Sequence, residues 1–331
     1  MEIFTNKNIV ARSKTGLRHQ LKNEKGQDSF CCFQDDEFIF ACVSDGVSSA
    51  KYSRLGAMLV TFEAIRFLRL YAEKSIFFDE KKRNLFIKEL IISLKERIKR
   101  SAELHGYNVQ EYASTVLLCI RYQDHFISVQ LGDGAIVISA DKFKLHRLPT
   151  NTPDKLRKNL TYSTYDLFTE NWEKLVTVTT GDCKSLFMFT DGVSPLYQQL
   201  ENLGDFCIAN AFYSSADRLS IVEELMKACA NITLDDNTIV AINNARSSIY
   251  DLTLEQRMRL FGVEKKFRVN EKRKIRRIIR VYRLLEEPIT SESVAKKLNI
   301  SLYSAERRLK KLMNVGLAER MDNHYIKSNQ T

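Results

Sequence analysis

An α+β protein built on antiparallel sheets, followed by a small basic helical module, is what the 331-residue sequence predicts. Three observations carry that expectation. Short apolar, β-branched runs come in groups separated by longer amphipathic stretches, whereas a doubly wound parallel sheet would alternate strand and helix one by one. That pattern stops near Asn243, and beyond Asn270 the periodicity is purely helical. The net charge of +10 lies wholly in the last quarter, where Asp251–Thr331 holds 20 Lys+Arg against 10 Asp+Glu. Such asymmetry suits a separate module with an anionic partner.

The strand candidates are Phe38–Ser44, Thr115–Ile120, Phe126–Leu131, Ala135–Ser139, Leu175–Thr180, Ser185–Phe189 and Thr238–Ile242. Each is a short apolar run of the kind that a sheet buries. Ser53–Tyr71 and Leu85–Glu103, after the first strand, and Leu219–Ala230, before the last, repeat apolar residues at three- and four-residue spacing and read as helices. The expected division is 1–243 for the first domain, 244–270 for a connector with a short helix across Leu254–Phe261, and 271–331 for the basic module.

Composition narrows the class. With 44% hydrophobic and 28% charged residues the chain has apolar mass for a sizeable core. No uncharged apolar stretch nears the ~18 residues of a membrane helix, and Met1–His19 lacks the apolar segment of a secretory signal. Seven scattered cysteines without a Cys-x-x-Cys pair argue against a disulfide framework or zinc site and for a reducing compartment. The expectation is a cytoplasmic protein with no membrane partner.

Aspartates fall at the mouths of the apolar runs. Asp45 follows Phe38–Val43, Asp133 follows Phe126–Leu131, Asp191 follows Leu186–Phe189, Asp236 precedes Ile239–Ile242 and Asp28 precedes Phe30–Phe33. A carboxylate there is costly to desolvate unless something positive meets it. Asp45, Asp133 and Asp191 are each followed by glycine, where chance predicts fewer than one such dipeptide. Asp-Gly is also a favoured hairpin turn, but three ending apolar runs favour a hard-cation site. Carboxylates and backbone carbonyls suit Mg²⁺ or Mn²⁺, and glycine lets a carbonyl approach the ion.

The ordered set Gly26-Gln27-Asp28, Ser44-Asp45-Gly46, Ala113-Ser114-Thr115, Leu131-Gly132-Asp133-Gly134, Phe189-Thr190-Asp191-Gly192 and Asp236-Asn237 resembles the metal-dependent serine/threonine protein phosphatases of the PPM or type 2C family. The stretch from Ser44 to Ala57 looks like its compact bacterial branch, and the resemblance spans residues 8–243. It implies a four-layer α-β-β-α sandwich of two antiparallel sheets with two Mn²⁺ or Mg²⁺ ions in a cleft at one end. It also implies hydrolysis of phosphoserine or phosphothreonine in a phosphoprotein substrate, by a water that the two metals activate. In that reading Asp45 bridges the ions, the Gly46 carbonyl holds one, Asp191 and Asp236 complete the carboxylates, and Asp28 acts mainly through water. Asn237 is a candidate to orient Asp236, or else a turn residue.

Departures from the pattern matter. The common Asp-Gly-His is Asp45-Gly46-Val47, which removes a histidine proposed as general acid; Gln27 stands where an acid is common. Pro195 stands where many members carry an aspartate for a third metal, so a third site at Asp133 looks incomplete. Arg18 is the better candidate for a phosphate clamp, since a planar guanidinium grips two phosphate oxygens. His19 is its rival, and a possible source of the missing proton.

In the basic module, Lys272–Leu285 places Ile275, Ile278, Ile279, Tyr282 and Leu285 on one helical face before Pro288. Thr290 or Ser291 caps a second helix with Val294, Ala295 and Leu298 inward. Ser301 caps a third that runs to Met313, with Leu302, Ala305, Leu309 and Leu312 inward. Tyr303, Ser304, Arg307, Arg308, Lys310 and Lys311 face outward as candidates for contact with DNA or a partner. A hairpin of Leu317–Arg320 and His324–Lys327 follows around Asp322-Asn323. Three helices and a hairpin in this order look like a small winged helix-turn-helix domain, which reads DNA through its third helix or docks a protein.

The alternative is a catalytically weak or inactive phosphatase-like sensor that acts as a DNA-binding transcription regulator. Val47 and Pro195 motivate it. A DNA-directed phosphoesterase ranks behind both, because the charge-neutral first 250 residues show no basic track for a backbone.

Overall fold

Two antiparallel sheets meet face to face in this computed structural model, which describes residues 2–139, 145–151, 161–198, 203–212, 215–243, 252, 254–261 and 268–328. The chain opens with β1 (Glu2–Thr5), β2 (Ile9–Lys14), α1 (Leu17–Leu21), β3 (Ser29–Gln34) and β4 (Phe38–Ser44). The helices α2 (Ser53–Tyr71), α3 (Ser75–Phe78) and α4 (Glu80–His105) follow. Then come β5 (Val116–Tyr122), β6 (His125–Leu131), β7 (Ala135–Ser139), β8 (Leu145–Arg147), β9 (Thr177–Asp182) and β10 (Ser185–Phe189). Next are α5 (Ser194–Gln198), α6 (Gly204–Phe212), α7 (Ser215–Ala230) and β11 (Asn237–Asn243). One sheet has the order β1-β2-β11-β10-β7-β8 and the other β3-β4-β5-β6-β9.

Strand periodicity sorts each side chain between two layers. On β11, Val240 and Ile242 point between the sheets, against Ala41, Val43, Leu117 and Met188. Ile239 and Ala241 point the other way, toward Phe206, Val222 and Met226 of α6 and α7. On β5, Leu118 and Ile120 turn outward onto Val60, Leu68, Leu90 and Leu94 of α2 and α4. Each sheet therefore carries helices on the face that the other sheet does not cover.

β1, β2 and β8 escaped the sequence reading, and β3 was marked only by the apolar run Phe30–Phe33. In β2 only Ile9, Val10 and Ala11 are apolar, yet the strand lies between β1 and β11, and its buried Arg12 pairs with Glu223 of α7. α4 starts before Leu85 because Asp79 accepts the backbone N–H groups of Lys81 and Lys82 at 2.9 and 3.1 Å. It ends at Gly106, whose φ of +69° is the left-handed conformation that glycine adopts readily.

Beyond the sheets lie α8 (Leu254–Leu260), α9 (Arg268–Arg283), α10 (Ser291–Leu298), α11 (Leu302–Asn314) and a hairpin of β12 (Ala318–Met321) and β13 (His324–Lys327). Thr290 and Ser301 cap α10 and α11, each accepting a backbone N–H at 3.3 Å. Ile275, Ile278, Val294, Leu309, Leu312 and Tyr325 form the core of this region, which Met258, Leu260 and Phe261 join to the layer beneath the first sheet. Leu302, expected inward, is 42% exposed, because the first turn of α11 extends past the layer formed by Ala305, Leu309 and Leu312. The seven cysteines form no disulfide. Among the described residues no helix is long and apolar enough to cross a membrane.

Candidate metal centre

Strand register brings the acids to one end of the paired sheets. Ser29 of β3 pairs with Ser44 of β4, so Asp28 and Asp45 are neighbours. In the other sheet Phe189 pairs with both Ile239 and Ala135, which places Asp191 beside Asp236 and near Asp133. Asp45 is latched to the head of β5: its N–H donates to Thr115 Oγ1 at 2.9 Å and its carbonyl accepts the Thr115 N–H at 2.8 Å. At Gly192 there is no room for a side chain, since a Cβ would lie 1.7 Å from the Asp236 carbonyl oxygen. That close approach seats the Asp191 turn on the start of β11.

The carboxylates crowd one another. Burial, then the charge of Asp236, pushes the Asp28 carboxyl up to about 7, although Thr238 and Thr190 donate to its Oδ2 at 2.7 and 2.9 Å. Asp45 lies against both Asp28 and Asp191; burial and those two charges hold it well above the usual carboxylate range. Asp191 is pushed up to about 6 by burial and then by Asp133. Asp28 Oδ1 and Asp191 Oδ1 are buried and accept no hydrogen bond. Crowded oxygens without donors are unfavourable alone and complementary to a small hard cation, so the donor set fits Mg²⁺ or Mn²⁺.

The pair Asp235–Asp236 divides the work at the start of β11. Asp236 is firmly held: Oδ1 accepts the Gly16 N–H at 2.7 Å and lies 3.1 Å from His19 Nδ1, and Oδ2 accepts the Gln27 N–H at 2.5 Å. Asp235 is the acid whose charge reaches Asp191. One ligand atom from each of His19, Asp235 and Asp236 fits within 4.8 Å of the others. Asn237 donates to the Asp235 carbonyl at 2.7 Å. Asp235 escaped the sequence reading, although two adjacent acids at a strand mouth were a usable signal.

Other predicted positions are spread around this cluster. His19 is buried, whereas the neighbouring Arg18 is exposed, its N–H held by the Leu234 carbonyl at 2.9 Å. Asp133 accepts from Thr161 Oγ1 at 2.5 Å. Val47 and Pro195 are partly buried. Tyr197 had no sequence signal: buried, it senses the charges of Asp191, Asp133 and Asp45, and the Arg147 guanidinium sits 4.8 Å over its ring. Thr190 and Thr238, the donors to Asp28, were likewise missed. In α11, Tyr303, Arg307 and Lys310 are exposed, while Ser304, Arg308 and Lys311 are half-buried rather than fully outward.

Crowded, buried carboxylates at one end of a two-sheet sandwich are the donor set expected of a metal-dependent hydrolase. Residues 15–237 match the family model of protein phosphatase 2C, and the chain belongs to that family of serine/threonine phosphatases. It is 24% identical over 252 residues to serine/threonine-protein phosphatase 3 of Escherichia coli (strain K12), covering 71% of this chain and 96% of the relative. Among solved structures it is similar to the phosphatase Stp1 from Staphylococcus aureus, with a TM-score of 0.52 at 13% identity over 73% of this chain and 97% of that one. The catalytic domain of the phosphatase PstP, solved with two manganese ions, gives a TM-score of 0.51 at 12% identity over 71% and 96%. Phosphatases of this family depend on Mn²⁺ or Mg²⁺.

Proposed function

We propose that this protein removes phosphate from phosphoserine or phosphothreonine in proteins, using two Mn²⁺ or Mg²⁺ ions. Asp28, Asp45, the Gly46 carbonyl, Asp191 and the Asp235–Asp236 pair would hold them. The observation that carries this reading is the convergence of carboxylates from both sheets, two with buried oxygens that accept no hydrogen bond. Divalent ions in such a site supply Lewis acidity, lowering the pKa of water and offsetting phosphate charge. The chain's own residues do the positioning. Asp45, in contact with Asp28 and Asp191, is the central ligand. Thr190 and Thr238 fix Asp28, while Gly16, Gln27 and His19 fix Asp236 and with it the backbone that presents Asp235. Asp133, held by Thr161, is the candidate for a weak third ion. Arg18, exposed one residue from His19, is the candidate to grip the substrate phosphate. With Val47 in place of the family's histidine, His19 is the imidazole that touches the acids.

The test is phosphate release from a phosphothreonine peptide by protein stripped with EDTA and reloaded. Turnover should require Mn²⁺ or Mg²⁺. Metal-independent turnover would refute the mechanism, and peptide binding with no turnover in any metal would favour the sensor. His19→Ala should weaken Mn²⁺ binding by about 10–100-fold in calorimetry, as loss of a partner to a ligand does elsewhere. Unchanged affinity would show that His19 does not position Asp236.

The basic module, in this proposal, is a winged helix that docks DNA or a protein. Its support is the order of α9, α10, α11 and the β12–β13 hairpin, together with the +10 charge excess. The exposed Tyr303, Arg307 and Lys310 would meet the partner.

A further inference from the structure

α9 and α11 enclose a cleft of about 210 Å³ lined by Lys274, Arg277, Ser304, Arg307, Arg308 and Lys311, with Ile278 at its base. Every charged side chain in that lining is a cation. Among the described residues Arg277, Arg307, Arg308 and Lys311 make no ion pair. Other cations of the chain do find partners, as Arg66 does with Glu63, Lys74 with Glu37 and Lys327 with Glu286. Burial, and then the neighbouring Arg277, holds the Arg308 guanidinium below its ordinary range. Arg308 and Lys311 are half-buried beside the exposed Arg277 and Arg307, and like charges gathered this way are unfavourable unless an anion completes the site.

We infer that the α9–α11 cleft is a phosphate-binding site that grips the backbone of duplex DNA. The inference rests on reading the module as a DNA-binding winged helix, and it names a place of grip that extends beyond α11 to Arg277 of α9. Arginine is suited to it, because its planar fork matches two phosphate oxygens. DNA is favoured over a phosphoprotein by what surrounds the cleft. Successive turns of α11 put Arg308 and Lys311, half-buried, and Arg307, exposed, in the lining, while Tyr303, at 72% exposure, and Lys310 reach solvent outside it. A helix held to the backbone on one side and open on the other has the arrangement needed to enter a groove. The lining offers a peptide only Ile278 as an apolar contact.

The experiment is fluorescence anisotropy of the full-length chain with a labelled mixed-sequence duplex over a salt series. It compares wild type with Arg277→Gln/Arg308→Gln, with folding checked by circular dichroism. Each phosphate contact contributes about 0.9 to the slope of log K against log salt. The double variant should bind at least tenfold more weakly at low salt and lose about one to two units of slope. Lys99→Gln on α4, remote from the cleft, should change neither. A double variant that binds with the wild-type slope overturns the cleft and leaves the module's reading intact. Wild type that ignores DNA at low salt overturns both. The readout needs no turnover, so it stands apart from the fate of the phosphatase proposal.

Discussion

Asp45→Asn should lower metal-dependent phosphopeptide hydrolysis by about three orders of magnitude, and it should raise the unfolding temperature of the metal-free protein. The first effect follows from position. Asp45 is the carboxylate that touches both Asp28 and Asp191, so its loss reduces the hold on both proposed ions. Several kcal/mol of transition-state stabilisation by metal, at about 1.4 kcal/mol per tenfold, gives that scale. The second effect has the opposite sign because crowding among buried carboxylates is a cost in the absence of cations. An amide keeps the shape and removes a charge. Steady-state kinetics with Mn²⁺ and thermal unfolding in EDTA check the two halves. A variant less stable than wild type in EDTA would mean that Asp45 serves the fold rather than an ion.

The metal-free protein should lose stability as pH rises from about 5 to about 7.5, and Mn²⁺ should largely restore it. Asp28 at about 7 and Asp191 at about 6 are both raised above their ordinary 3.8. Between those values the folded state binds more protons than the unfolded chain, so its stability falls with increasing pH. The contribution is full below about pH 4 and is lost as pH climbs through the folded-state values. A cation that binds the same oxygens competes with protons, so the gain on adding Mn²⁺ should be larger at pH 7.5 than at pH 5. At a hundredfold excess over its dissociation constant an ion bound only to the folded state contributes about 2.7 kcal/mol. Differential scanning fluorimetry with and without EDTA across this range makes the comparison. Parallel pH profiles in the two conditions would contradict it.

Much of the fold is legible because burial is written as apolar periodicity. α2 and β10 match the sequence reading to the residue, since Ser53–Tyr71 and Ser185–Phe189 are bounded by turns and have uninterrupted apolar patterns. β1 and β2 are not legible that way: Arg12 and Ser13 are buried through partners elsewhere in the chain. The placement of acids at strand mouths is a local signal, but the direction of each carboxylate is not. Asp235 and Asp236 are chemically identical neighbours, and the backbone N–H groups of Gly16 and Gln27, with His19, all more than 200 residues away, decide which of them is held. Tyr197 and Arg147 meet through tertiary packing alone. The α9–α11 cleft is hidden for the same reason. Helical periodicity assigns Arg308 and Lys311 to an outward face, whereas the packing of α9 across α11 half-covers them.

Anomalous diffraction from a crystal soaked in Mn²⁺ bears on the central idea with the fewest intermediate assumptions. Two peaks should appear between Asp45 and the surrounding Asp28, Asp191 and Asp235–Asp236 oxygens, with the Gly46 carbonyl against one of them. A map with no peak in that cleft, from protein active toward phosphopeptide in the same Mn²⁺ buffer, would contradict the account.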